Sequence, residues 1–300
     1  MARVRPGIDP ARDAARRGLP GGFPGRARAS ARSSFHYSFG LLPQDRRRGI
    51  EAVYAFCRVI DDLADERPFD PARAALGLDT SREEIARCYG GAPTLPVTRD
   101  LQDCIRRFGI PRAPVEDLLD GVAMDLRQSR YRTFDELRVY CRRVASAVGL
   151  ICLPIFGCGD DRSRDYAVDL GIALQLTNIL RDLKADAVRG RIYVPLDEIA
   201  ACGYSESELL KGERTPAFLT LMRQQALRAH RHFESSARLL PESDRPRLLA
   251  AEVMRAIYLK LLRRIEAREF RVFEGRRISV PRLQQLGVAL RAWALGEVGS

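Results

Sequence analysis

Two Asp-x-x-x-Asp boxes, Asp61 to Asp65 and Asp182 to Asp186, stand far apart in a 300-residue chain whose apolar periodicity is helical throughout. On an α-helix residues i and i+4 lie one above the other, so each box aims two carboxylates the same way. Two such clamps facing one another would hold divalent metal. Mg²⁺ takes oxygen ligands, usually only one or two carboxylates per ion, and completes its shell with water and substrate phosphate. The substrate group to expect is therefore a diphosphate, with Asp61, Asp65, Asp182 and Asp186 as metal ligands.

A lone Asp pair at this spacing is more often a solvated helix face than a metal site, so the neighbours decide. Tyr54, Arg58, Asp61 and Asp65 step by four, three and four, beside an apolar stripe of Ile50, Val53, Cys57, Ile60 and Ala64. From Tyr166 to Leu183 the helix is apolar on most sides, which marks it as central. Its polar exceptions, Gln175, Asn178, Asp182 and Asp186, fall three, four and four apart with Arg181 beside them. Buried carboxylates and amides are costly unless paired, hydrogen-bonded or metal-bound. A structural hydrogen-bond network is the plain alternative; the following Arg189, Arg191 and Tyr193 suit a charged ligand better.

The elements that must position these groups read as an all-α domain. Thr133 to Glu136 and Ser205 to Glu208 are capping boxes, and Thr215-Pro216 is an N-cap followed by a first-turn proline. Strand signals are scarce, and neither an internal repeat nor a linker appears after residue 40, so residues 31–293 form one expected domain. Residues 1–30, dominated by Arg, Gly, Pro and Ala, lack apolar periodicity and read as a disordered tail without a secretory h-region. No segment reads as long enough to span a membrane: Val144 to Gly159 is apolar but short, interrupted by Ser146 and Pro154. Its small residues Ala145, Ala147 and Gly149 serve close helix approach or make room for an apolar ligand equally well.

Several segments together resemble the squalene/phytoene synthase family. They are Ser33 to Tyr37, Tyr54 to Asp65, Tyr140 to Gly149, Gln175 to Asp186 and Arg191 to Pro195, in the family's order and spacing. The likeness spans about residues 30–293. Around Tyr258, and from Arg276 through Trp293, it is most similar to the bacterial hopanoid-pathway branch that makes presqualene diphosphate. The resemblance implies the helical isoprenoid-synthase fold with a central cavity, Mg²⁺ as cofactor, and head-to-head condensation of two farnesyl diphosphates to presqualene diphosphate. It further implies Tyr54, Tyr140 and Tyr258 near a passing carbocation, and Ser34, Arg58, Gln175, Asn178, Arg181, Arg191 and Tyr193 around the substrate. The chain departs from the family at Ala185, where an acidic residue is frequent, and at His36-Tyr37. Phytoene or dehydrosqualene synthesis is the nearest alternative, sharing the cyclopropyl intermediate.

The formal charge of +11 raises a different class, a non-catalytic helical protein binding membranes or nucleic acid. Part of the excess lies in the tail, where Arg3, Arg5, Arg12, Arg16, Arg17, Arg26, Arg28 and Arg32 face Asp9 and Asp13. The rest is spread over helices of both signs without a nucleic-acid recognition motif. Prenyl diphosphates and anionic membrane surfaces suit it better, and downstream squalene or hopanoid enzymes are the expected pathway partners. Seven cysteines with no Cys-x-x-Cys pair, and His36, His230 and His232 as the sole imidazoles, disfavour structural zinc. An odd cysteine count without an export signal points to the cytoplasm, with peripheral contact at the inner membrane face.

Overall fold

A central helix, buried along much of its middle, organises the molecule. The computed structural model describes residue 40, residues 42–65 and residues 70–297; the side chains of residues 64–65 and 293–297 lie outside the described set. In chain order the helices are α1 (Gln44–Asp65), α2 (Pro71–Gly90), α3 (Pro96–Phe108), α4 (Arg112–Arg127), α5 (Phe134–Cys141), a π-helical segment (Arg142–Ser146), α6 (Ala147–Phe156), α7 (Arg162–Val188), α8 (Leu196–Ala201), α9 (Glu206–Lys211), α10 (Pro216–Leu239), α11 (Leu249–Ala267) and α12 (Arg282–Glu297). Helix α7 packs on α10, α11, α6 and the π segment. Among the described residues the sole β contact is an isolated parallel bridge between Arg130 and Ile192. The expectation of an all-α domain holds, and α12 continues past residue 293.

The caps read from sequence are present. Thr133 accepts from the Glu136 amide, Ser205 from the Glu208 amide and Thr215 from the Phe218 amide. In the first box the reciprocal arm shifts by one residue, and the Glu136 carboxylate takes the Arg132 amide at 2.8 Å. Glu84, buried on α2, ties down the start of α3. It accepts from the Thr94 and Leu95 amides and from the Thr98 hydroxyl, and although burial opposes ionisation these bonds hold its carboxyl down to about 2.

Two glycines, Gly121 on α4 and Gly171 on α7, let the π segment reach its neighbours. A Cβ on Gly171 would lie 2.5 Å from the Ser146 Cα, and one on Gly121 would lie 2.7 Å from Val144 Cγ1. The π segment is thus wedged between α4 and α7, where the Ser146 hydroxyl donates to the Val168 carbonyl at 2.7 Å. Gly149 shows both of its expected uses: its Cβ position is 3.3 Å from Ala167, and it also lines the main cavity.

One expectation fails. The π segment joins α5 to α6 in a 23-residue helical run, Phe134–Phe156, long and apolar enough by length and composition to cross a membrane. Pro154 falls near its end and Ser146 bonds inward, so neither stops it. The run packs against α4 and α7 and lines the interior cavity, and 44% of its most apolar window is buried.

Candidate active site

A cavity of about 450 Å³ runs between α1, α4, α6, α7 and α11. Each wall is graded in the same sense. Helix α1 passes from Ile50 and Val53 to Tyr54, Arg58 and Asp61; α4 from Leu118 and Val122 to Asp125; α11 from Ala250 and Met254 to Tyr258. Helix α7 passes from Tyr166, Ala167 and Leu170 through Gln175 and Asn178 to Arg181, Asp182 and Asp186, while the α5–α6 run descends from Tyr140 to Phe156. At 1.5 Å per residue the stretch of α7 from Tyr166 to Asp182 is roughly 24 Å long. The result is a charged mouth over a long apolar shaft, the shape of a site for a molecule with an anionic head and a hydrocarbon tail.

The mouth is built from distant parts of the chain. Residues 129–132 pair with residues 191–197, which run into the first turn of α8, through Ile192 N to Ser129 O, Leu196 N to Tyr131 O and Asp197 N to Arg132 O, and this carries Arg191 and Tyr193 to the rim. Asp125 is its centre. Its carboxylate accepts from the Tyr140 hydroxyl at 2.9 Å and the Tyr193 hydroxyl at 2.7 Å, and its carbonyl accepts from Arg191 at 3.4 Å. The Tyr140 and Tyr193 rings stack at 5.1 Å, with Tyr131 packed on both at 5.4 and 5.8 Å. Burial, then the Asp125 charge, pushes both phenols far above the ordinary range, so they act as neutral donors.

The second aspartate box shows two contrasting carboxylates. Asp182 is gripped by Arg181, whose Nε donates at 2.9 Å, and by Arg277 from the loop between α11 and α12. That loop is anchored by buried Phe270, Val272, Ile278 and Val280. Burial opposes ionisation of Asp182, yet the two guanidiniums hold its carboxyl below the usual range. One turn on, burial and then the Asp182 charge push Asp186 up to about 7, against the pull of Arg189 and Arg191. In the first box, Arg58 pairs with Asp62 at 2.9 Å on the exposed side.

Most residues expected from sequence meet on this one cavity: Tyr54, Arg58, Asp61, Tyr140, Gln175, Asn178, Arg181, Asp182, Asp186, Arg191, Tyr193 and Tyr258 all line it. Ser34 and the Asp65 side chain lie outside the described residues. Asp125, Tyr131 and Arg277 were not anticipated. Asp125 had left a trace, since it continues the apolar seam of Leu118 and Val122 at spacings of four and three.

Mg²⁺ suits the donors present. Asp182 and Asp186 lie one turn apart, and one turn earlier Asn178 Oδ1 is buried with no hydrogen-bond partner. The raised Asp186 carboxyl marks a position short of positive charge. Among the described residues no three His, Cys, Asp or Glu side chains converge closely enough to hold an ion unaided. For Mg²⁺ that is no obstacle, because substrate phosphates and water normally supply most of its shell.

The squalene/phytoene synthase family model matches residues 28–284. The chain belongs to that family. It is 38% identical over 259 residues to phytoene synthase of Arthrospira platensis, a match covering 81% of this chain and 82% of that one. It spans about 60% of longer chloroplastic relatives. A solved dehydrosqualene synthase superimposes with a TM-score of 0.76 at 28% identity, covering 89% of this chain and 93% of the other. Squalene synthase HpnC from Alicyclobacillus acidocaldarius gives 0.65 at 30% identity, covering 88% and 89%. The family is of prenyltransferase type, and the isoprenoid-synthase fold expected from sequence is the fold observed.

Proposed function

We propose that this enzyme joins two farnesyl diphosphates head to head, giving presqualene diphosphate and inorganic diphosphate. The allylic C–O bond of the donor breaks and diphosphate departs. The allyl cation takes the electrons of the acceptor's 2,3 double bond, leaving a cation on the acceptor's third carbon, and loss of a proton from the donor's first carbon closes the cyclopropane onto that third carbon. Asp61, Asp65, Asp182 and Asp186 would hold Mg²⁺, which when bound neutralises charge on the leaving diphosphate. Arg58, Arg181 and Arg191 offer planar donor forks to phosphate oxygens, with Ser34, Gln175 and Asn178 as further polar contacts. Tyr54, Tyr140 and Tyr258 present rings to the passing cation, and the apolar shaft below keeps water from quenching it.

The observation that carries this reading is Arg277. The segments around Tyr258 and from Arg276 to Trp293 are those whose sequence resembles the presqualene branch, and Arg277 of the second reaches Asp182 inside the site. Phytoene synthesis is the second reading, favoured by the 38% identity to a phytoene synthase. Purified protein with Mg²⁺ and farnesyl or geranylgeranyl diphosphate, followed by product identification, separates them: preference for the C15 substrate supports the proposal, preference for the C20 substrate supports phytoene. Seven free cysteines suit a reducing cytoplasm, and enzymes that ionise presqualene diphosphate a second time are the partners this product implies.

A further inference from the structure

Helix α12 turns apolar side chains to solvent. Leu283, Leu286 and Leu290 are 84%, 42% and 55% exposed. Spaced three and four apart, they form one ridge along the helix, while Gln285 and Ala289, outside that ridge, are buried. At 100° per residue Arg282 flanks this ridge on one side and Arg291 on the other, and both are exposed. From Gly275 to Leu295 the chain carries Arg276, Arg277, Arg282 and Arg291 and neither Asp nor Glu. The helix begins five residues after Arg277, which is bonded to Asp182 at the mouth of the cavity.

We infer that this face docks on an anionic lipid bilayer, the leucine ridge entering the headgroup boundary and Arg282 and Arg291 meeting phosphates on either side. A leucine ridge between cationic flanks is the chemistry of an interfacial helix. A second copy of the chain is the poorer occupant. Paired ridges would bring Arg282 and Arg291 of each copy together, with Glu297 at the far end the sole acidic residue of the helix. Docking in this orientation sets the cavity mouth near the bilayer, so a substrate and product with hydrocarbon chains can pass without crossing water. That consequence rests on the prenyl diphosphate reading; the docking itself does not.

Co-sedimentation of the full-length protein with vesicles tests it, in the absence of substrate and so independently of the reaction assignment. Phosphatidylcholine vesicles are compared with phosphatidylcholine–phosphatidylglycerol vesicles. The wild type is expected to bind the anionic vesicles and to release them as salt rises. Replacing Leu283, Leu286 and Leu290 together by Gln should weaken binding by at least ~10-fold, and Arg282→Gln with Arg291→Gln by on the order of fivefold per arginine. Melting temperature and turnover of detergent-dispersed substrate should stay at wild-type values in both. If the triple variant misfolds, Leu290→Gln alone is used, with a smaller loss expected. Binding that ignores α12 but disappears when the arginines of residues 3–32 become Gln overturns the inference. So does a dimer in sedimentation equilibrium that the triple variant abolishes while vesicle binding is absent.

Discussion

Replacing Asp186 by asparagine should stabilise the metal-free protein while removing its activity. Burial and the neighbouring Asp182 charge raise this carboxyl from 3.8 to about 7, so the folded chain keeps a proton that the unfolded chain has released across that interval. Stability therefore falls as pH rises through the window and stays reduced above it. A rise from 3.8 to about 7 corresponds to ~4 kcal/mol, and solvent screening at the cavity mouth brings it toward ~2 kcal/mol. Asparagine keeps the shape and removes the charge. In EDTA at about pH 8 the variant should melt roughly 4–8 °C higher than wild type, and the gap should narrow as pH falls and close only below the ordinary carboxyl value of 3.8. Added Mg²⁺ together with inorganic diphosphate, which completes the ion's shell, should raise the wild-type melting temperature by mass action and leave the variant nearly unchanged. Calorimetry of both proteins with and without Mg²⁺ checks this without any turnover assay. A variant no more stable than wild type in EDTA, or equal stabilisation of both by Mg²⁺, would refute the reasoning.

Asp61→Asn and Asp182→Asn should each lower turnover at least ~100-fold with native circular dichroism, the scale of losing one electrostatic stabiliser; near-wild-type rates would remove the clamp. Asp125→Ala leaves the Tyr140 and Tyr193 hydroxyls without their shared acceptor. It should cost about 1–3 kcal/mol of stability, read as a lower urea midpoint. Gly171→Ala forces a methyl against the Ser146 backbone, only 2.5 Å away. A loss of about 1–3 kcal/mol is expected in the same urea series, and an unchanged midpoint would mean that the π segment yields freely.

The site was legible in sequence where polarity contrasted with its surroundings. Gln175, Asn178, Asp182 and Asp186 stand out because the rest of α7 is apolar, and the helical period alone puts them on one face. Asp125 was obscured because Glu116, Asp117 and Asp120 share its helix, and only the tertiary fold brings Tyr140 and Tyr193 to it. Arg277 is 95 residues from Asp182, a pairing that no local period encodes. The continuity of Phe134–Phe156 was hidden for a related reason. Its π segment is seated by the missing side chains of Gly121 and Gly171 on other helices, so the length of the run is a property of packing. Helix caps, by contrast, depend on four consecutive residues, and Thr133, Ser205 and Thr215 could be read directly.

The most direct test of the central claim is where the reaction stops. Enzyme in excess over farnesyl diphosphate, with Mg²⁺, quenched over a single turnover and read by mass spectrometry, should show a C30 product that still carries diphosphate. Adding NADPH should leave its amount unchanged. Accumulation of squalene, hydroxysqualene or dehydrosqualene as the main product would contradict presqualene diphosphate as the end point.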